Sequence, residues 1–424
     1  EVRDLAKTLG CRYVRRLGSF GAKAGNVNNA LSVAKAEFFV IFDADFVAKP
    51  DFLYETLPFM EDPNVAFVQA PQVYGNLNNI VSRGAGFIQM VFYRFIQPGR
   101  NEFNAAFCVG TNVLFRRAAV KDIGGIYTQS KSEDIWTSIL LHERGWRSIF
   151  QPKELAVGET PDTIEAYSKQ QLRWATGGFE ILLTHNPLRP RRRLHMDQRL
   201  MYFATCTFYF TGIAPGLLML VPVLEVFFDL RPVTLAVKWY EWALFYPGFY
   251  AMQILLAAVI AGTFRWEVLL LAANSFPIYI KAFFNALLKV DTKWSVTGAT
   301  GGKASAFNFI MVQVWAFVLM VATSIVSIYR DYSMGHLNIA TFWCVLNSFF
   351  LGAFVVTAFL ENRQKKREKT QPQRGLEAAE SPYADRQLVS VGRQSEALDI
   401  EAILDAQAAK GALAENPELQ DRKG

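Results

Sequence analysis

Residues 1–199 predict an α/β domain with a mostly parallel sheet, and residues 200–362 predict an α-helical membrane region behind it. Three observations carry this reading. In the first part, short apolar runs that stop at polar turns alternate with helical stretches. In the second, apolar runs of about 20 residues or more recur, the length that crosses a bilayer core. Hydrophobic residues make up 51% of the 424-residue chain and charged residues 19%, against about 25% charged in an ordinary soluble domain.

The same composition excludes several classes of protein. A chain this apolar does not stay solvated as a disordered coil. Cys11, Cys108, Cys206 and Cys344 lie far apart with no C-x-x-C spacing, so neither a disulfide scaffold nor a zinc site is signalled. The 4 His are scattered and form no H-E-x-x-H. A net charge of +6 would suit nucleic acid, but the location of the charge decides otherwise. Arg189, Arg191, Arg192 and Arg193 stand just before one apolar run, and Arg363, Lys365, Lys366, Arg367 and Lys369 just after another. Such flanks read as inner ends of membrane spans. No nucleic-acid-binding motif occurs.

Val2, Leu5 and Leu9 share a helical face at the start. An α/β domain normally opens on strands, so the first part of this one is expected to precede Glu1, and the chain reads as a fragment. In Lys23-Ala24-Gly25-Asn26, Gly25 allows close backbone approach and Lys23 can meet a phosphate. A surface turn with a snorkelled lysine has the same pattern.

Glu37 to Phe42 is a short apolar run that ends at Asp43-Ala44-Asp45, as a buried strand ends at a loop. Side chains at i and i+2 of an extended segment point the same way. Asp43 and Asp45 then offer two carboxylates on one side, suited to a hard divalent cation that also holds phosphate oxygens. A solvated turn is the plain alternative. Val65 to Gln69 and Phe107 to Arg116 are the next candidate strands. Ligands in such sheets sit at the carboxyl ends of the strands, where both aspartates fall.

Ser132-Glu133-Asp134 opens a helix closed by Gly145 at the position after its C-cap. Ser132 suits an N-cap, and two acids suit the helix dipole. Asp134 is also a candidate general base, tuned by burial or substrate contact. A further helix starts at Asp162 or Thr163, with Asp162 and Glu165 in capping-box spacing. On it Gln170, Arg173 and Trp174 fall at i, i+3 and i+4, so one face carries an amide, a guanidinium and an indole. Arg173 fits a pyrophosphate and Trp174 a flat sugar face. An interfacial helix with Trp at the headgroups is the alternative.

Four spans are expected, at 202–228, 243–262, 306–328 and 339–360. The 268–288 stretch carries Asn274, Pro277, Lys281 and Asn285 and reads as a helix lying at the interface, with a kinked fifth span as the alternative. Lys and Arg put residues 1–200, the 263–305 segment and the C-terminus on the inner side. Residues 363–424 form a polar tail, expected to be disordered or loosely helical.

Lys23-Ala24-Gly25-Asn26, Asp43-Ala44-Asp45, Ser132-Glu133-Asp134 and Gln170-x-x-Arg173-Trp174, in this order and followed by spans, resemble the processive family-2 glycosyltransferases, the cellulose and hyaluronan synthases among them. The likeness covers about residues 1–360. It implies a GT-A fold and transfer from a nucleotide sugar, usually a UDP-sugar, with inversion at the anomeric carbon and help from Mg2+ or Mn2+. The acceptor would be a growing β-linked polysaccharide, secreted across the cell membrane from a cytoplasmic catalytic domain, with accessory secretion subunits as further partners beside the lipid bilayer.

Residue by residue, Asp45 resembles the family's metal-binding acid, and Asp43 stands beside it near the nucleotide. Lys23 resembles the lysine on the diphosphate, and Asp134 matches the general base. Gln170, Arg173 and Trp174 match the motif that lines the diphosphate and the acceptor entrance. Trp294-Ser295-Val296-Thr297 resembles the gating loop, which makes Thr297 a substrate contact. Phe107-Cys108-Val109-Gly110-Thr111 resembles the segment near the acceptor terminus. The chain departs from the family in Ser132, where Thr is usual, and in Gly298-Ala299, where Pro-Lys is common. The family's first aspartate motif would lie before Glu1. Two other readings stand beside this one: a non-processive relative acting on a lipid or protein acceptor, and a multi-span transporter with a regulatory domain. The spans' lack of buried ionic pairs opposes the transporter.

Overall fold

A computed structural model describes residues 2–16, 18, 20–230, 251–252, 254–259, 262–290, 305–335 and 338–370. The strands are β1 (Phe38–Ile41), β2 (Val47–Ala48), β3 (Val65–Gln69), β4 (Val73–Tyr74), β5 (Val113–Arg116), β6 (Arg147–Phe150) and β7 (Ala156–Gly158). The helices of the first part are α1 (Val2–Thr8), α2 (Ala22–Val33), α3 (Phe52–Thr56), α4 (Ile80–Val91), α5 (Gln97–Asn101), α6 (Arg117–Asp122), α7 (Glu133–Glu143) and α8 (Ile164–Thr184).

The main sheet has the order β1-β5-β3-β6, and a smaller one has the order β2-β7-β4. β3 and β6 are parallel, but β5 runs antiparallel to both β1 and β3. The sheet is therefore mixed, which corrects the expectation of a mostly parallel one. Register supplies the reason. Val113, which opens β5, lies opposite Ile41 and Gln69, which close β1 and β3. The chain enters β5 from the edge where β1 and β3 leave, so β5 has to run back.

The third strand is also shorter than expected. Gly110 at φ 85° and Asn112 at φ 55° are left-handed, so the backbone cannot stay extended from Phe107, and only Val113–Arg116 pair. Along β5 the side chains alternate. Val113 and Phe115 pack with Ala24 of α2, Val120 of α6 and Leu141 of α7, while Leu114 packs with Leu57 and Met60 on the other face. The sheet is thus covered on both sides, and β3 is buried throughout.

Among the described residues, three helices are long and apolar enough to cross a membrane: Met196–Phe228, Phe307–Met334 and Ile339–Arg367. The first is assembled from shorter pieces, Met196–Thr207, Phe208–Phe210, Ala214–Leu218 and Leu220–Phe228. Trp266–Asn274 and Phe276–Leu287 are bent by 43° at their junction. The last helix runs on to Thr370, past the expected end at residue 360. Its basic run is made of good helix formers, and Lys365 pairs with Glu361 one turn back at 2.8 Å. The expected 243–262 span falls largely outside the described residues, as do the Trp294–Thr297 loop and residues 371–424.

α8 joins the two parts. Its Tyr167 hydroxyl lies 3.0 Å from Ser275 Oγ, and Tyr279 donates to Gln171 Oε1 at 3.0 Å. Ala175 and Phe179 of α8 pack with Tyr279 and Ala282. At its start, the Ile164 N–H donates to Glu361 Oε2 of the last helix at 2.9 Å.

Candidate active site

The carboxyl ends of β1, β3 and β6 and the start of β5 meet at one edge of the main sheet, since Gln69 also lies opposite Phe150. The segment before β5 is folded along this edge by Gln69. Its amide donates to the carbonyls of Ala70 and Thr111 at 2.7 and 2.8 Å and accepts from the Val109 N–H at 2.9 Å. Thr111 in turn accepts from the Asp43 N–H at 2.9 Å through Oγ1.

Asp43-Ala44-Asp45 begins two residues past β1 and is a turn, closed by the Phe46 N–H on the Asp43 carbonyl at 3.0 Å. The two carboxylates are therefore presented by a turn and not by strand alternation, which corrects the extended geometry expected for them. The turn is bracketed by anchored rings. Phe42 meets Phe52 edge-on at 4.8 Å between centroids, and Phe46 covers Gly158, where a methyl would stand 2.7 Å from its ring.

Lys23 sits in the first turn of α2 and not on a surface turn. Its Nζ is 2.5 Å from Asp43 Oδ1 and donates to the Gly110 carbonyl at 2.6 Å. The space that Gly25 leaves is taken by the Arg16 guanidinium and the Phe20 carbonyl. A methyl on Gly110 would stand 3.4 Å from Lys23 Nζ and 3.6 Å from Asp134 Oδ2, so lysine and aspartate close on the same glycine. Lys23, Cys108, Gly110, Glu133, Asp134 and Thr137 line one cleft.

Ser132 occupies the N-cap position of α7, but its side chain makes no capping bond, contrary to the expected cap. The C-terminal expectation holds: α7 ends at Glu143, and Gly145 follows at φ 86°. α8 starts at Ile164, and Thr163, not Asp162, caps it by accepting from the Ala166 N–H at 3.2 Å. Glu165 is drawn instead to Lys169 at 2.8 Å, so the capping box does not form.

The electrostatics tie the motifs together. Burial pushes the Glu133 carboxyl up to about 7, and the Asp134 charge adds to it. Burial likewise raises Asp134, opposed by the Ile135 N–H at 2.8 Å and by the charges of Arg173 and Lys23. Asp45 is raised by burial, with Asp43 adding to the rise while its own backbone N–H and Lys23 oppose it. Lys23 thus stands between two groups of charges, Asp43 and Asp45 on one side and Glu133 and Asp134 on the other, and Arg173 acts on the second pair. Gln170 and Trp174 are half-buried on the same face of α8 as Arg173. Among the described residues neither bonds to the acids. Thr297 lies outside the described residues.

No group of three His, Cys, Asp or Glu that could cage a metal occurs among the described residues. Asp45, exposed on the turn and repelled by Asp43, fits a different arrangement. It suits a hard cation that takes one or two protein carboxylates and completes its shell with diphosphate and water. Sequence reasoning did not assign Gln69 to the site, and it placed Gly110 and Thr111 there only through the likeness of Phe107–Thr111 to an acceptor-side segment. The available signals were an amide closing an otherwise apolar strand and a Gly-Thr pair inside a strand-like run.

A mixed sheet covered on both faces thus carries acids and a lysine at the carboxyl ends of its strands, ahead of helices long and apolar enough to cross a membrane. The family model for glycosyl transferase family group 2 matches residues 38–357, and the chain belongs to that family. It is 30% identical over 234 residues to the UDP-forming cellulose synthase catalytic subunit of Pseudomonas fluorescens (strain SBW25), covering 54% of this chain and 32% of that protein. It is 30% identical over 219 residues to the UDP-forming cellulose synthase catalytic subunit of Xanthomonas axonopodis pv. citri (strain 306), covering 50% and 30%. It is also 32% identical over 234 residues to cellulose synthase 2 of Novacetimonas hansenii, covering 53% and 14%. The chain thus spans about a third or less of these relatives. Among solved structures it is similar to the mannosyltransferase PcManGT from Pyrobaculum calidifontis in complex with GDP-Man and Mn2+. That likeness has a TM-score of 0.45 and 18% identity, over 68% of this chain and 74% of the other.

Proposed function

We propose that the chain is the catalytic part of a membrane-embedded inverting glycosyltransferase. It takes sugar from a UDP-sugar, adds it to a growing β-linked polysaccharide and secretes the product across the cell membrane, with the catalytic domain on the cytoplasmic side. The carrying observation is the convergence of Lys23, Asp43, Asp45, Glu133 and Asp134 at one sheet edge, under the charge of Arg173.

In this reading Asp134 accepts the proton of the acceptor hydroxyl. The hydroxyl oxygen bonds to the anomeric carbon as the bond from that carbon to the diphosphate breaks. Lys23 and Arg173 hold the departing diphosphate. Asp45, with Asp43 beside it, would hold Mg2+ or Mn2+, which when bound neutralises diphosphate charge. Gln170 and Trp174 line the acceptor side, where a flat sugar face packs on the indole, and Thr297 contacts the donor from the gating loop. The UDP-forming names of two curated relatives support the choice of donor. The arginine and lysine flanks of the apolar helices support the multi-pass, cytoplasm-facing orientation.

The test is incubation of the full-length protein in membranes with a panel of radiolabelled nucleotide sugars, followed by product sizing and glycosidase digestion. Polymer from one UDP-sugar is expected. Transfer of single sugars to lipid or protein selects the non-processive alternative, and no transfer from any donor overturns the reading.

A further inference from the structure

The functional face of α8 continues beyond Trp174. Gln170, Arg173, Trp174 and Gly177 follow the i, i+3, i+4, i+7 spacing of one helical stripe, and Glu180 lies one turn further. The last two meet the segment that leads into α7. Gly177 lies so close to Ser132 that a methyl in its place would fall on the Ser132 hydroxyl and Cβ. This contact accounts for the free N-cap position, because the hydroxyl that would cap α7 is turned against α8. One turn on, Glu180 Oε2 accepts from the Ser130 hydroxyl at 3.1 Å, and that hydroxyl accepts from the Ser132 N–H at 3.2 Å. The Ser132 carbonyl accepts the first N–H of the helix interior, from Trp136, at 3.1 Å.

We propose that Gly177 and Glu180 are positioning residues that clamp Ser130–Ser132 onto α8 and so fix where Asp134 stands relative to Arg173. The stripe then has two functions. Its first half faces substrate, and its second half sets the distance between the base and the diphosphate-binding guanidinium. Gly177 supplies the close approach, since any side chain would lever the start of α7 away. Glu180 supplies the tether, relayed through the Ser130 hydroxyl to the Ser132 N–H. This rests on the role given to Asp134 above.

The experiment uses the full-length protein in membranes. It compares Gly177→Ala, Gly177→Ala with Ser132→Gly, Glu180→Ala and Glu180→Gln. Turnover and donor KM are measured for each, with hydrogen exchange at residues 130–136 as a readout independent of activity. Alanine is the better helix former, so any loss in Gly177→Ala comes from the contact and not from helix propensity. Misplacing a reacting group by about 1 Å costs up to about 100-fold. Gly177→Ala should therefore lose about 10- to 100-fold in kcat with donor KM little changed. Adding Ser132→Gly, which removes the colliding atoms, should restore most of the loss. Glu180→Ala should lower kcat and speed exchange at 130–136, while Glu180→Gln, which keeps an acceptor oxygen, should do neither. Unchanged exchange in Glu180→Ala overturns the clamp even if no transferase activity is found. In an active enzyme, so does a Gly177→Ala loss that Ser132→Gly leaves unrelieved. Should Gly177→Ala fail to fold, the two Glu180 variants decide alone.

Discussion

Replacing Lys23 by Met removes a side chain that joins the aspartate turn to the segment before β5, a link that the Thr111 hydroxyl also makes. Its ammonium is 2.5 Å from Asp43 Oδ1 and 2.6 Å from the Gly110 carbonyl. The two side chains of the pair are 26% and 40% exposed, so solvent screens it. Exposed ion pairs contribute about 0.2–1 kcal/mol, and hydrogen bonds to charged groups about 1.5–3 kcal/mol. At the screened end of both ranges, the fold should lose about 1–2 kcal/mol. Donor binding should suffer more. A lysine facing a diphosphate makes charge-assisted bonds, and losing about 1.5–3 kcal/mol weakens affinity about 10- to 100-fold. Calorimetric titration of the nucleotide sugar with Mg2+, beside a thermal melt, reads both quantities. Lys23→Arg should recover only part of the affinity, because a planar fork does not replace a point charge held between Asp43 and Gly110. Donor affinity within twofold of wild type in Lys23→Met would refute the diphosphate role and leave Lys23 as a structural tie.

Asp45→Asn should abolish metal-dependent donor binding, read by titration with and without Mg2+ or Mn2+; unchanged metal-dependent affinity removes Asp45 from the metal site. Trp174→Ala should reduce chain extension more than donor binding, and product of unaltered length and amount would return Trp174 to a headgroup anchor. Burial raises Glu133 to about 7 and raises Asp134, so the acid limb of the kcat profile should lie above the ordinary carboxylate range. The stability that Glu133 contributes is full below its ordinary 4.5 and is lost as pH rises through about 7. Repulsion between neighbouring carboxylates is mutual, so Glu133→Gln should move the acid limb to lower pH; a limb that stays put shows that the two titrate independently.

The parts of the fold legible in the sequence are those set by local pattern. β3 matches its apolar run residue for residue, and α7 ends at the glycine that can take a positive φ. The apolar helices follow from length and hydropathy. Sheet direction was not legible, because β5 is turned round by its entry from the site edge, a property of the long connection and not of Val113–Arg116. The capping signals at Ser132 and Asp162 misled for different reasons: the Ser132 side chain packs against Gly177 of α8, and Glu165 pairs with Lys169 one turn on in its own helix. At the site, the charged residues announced themselves by type and order. Gln69 did not, since a buried amide acquires its role only from the backbone groups that folding brings to it.

The central claim is that Asp134 takes the proton of the attacking hydroxyl, with Asp43 and Asp45 committed to nucleotide and metal. Glu133 lines the same cleft, but consecutive helical residues diverge by about 100°, so the two carboxylates meet the acceptor from different directions. The most direct measurement is turnover of Asp134→Asn in the full-length protein, with donor and metal affinity determined on the same preparation. Donor and metal binding should stay nearly intact while turnover falls by about 100-fold or more, the lower end for loss of a positioned base. Polymerisation at more than about a tenth of the wild-type rate would contradict the account and reduce Ser132-Glu133-Asp134 to the start of a helix.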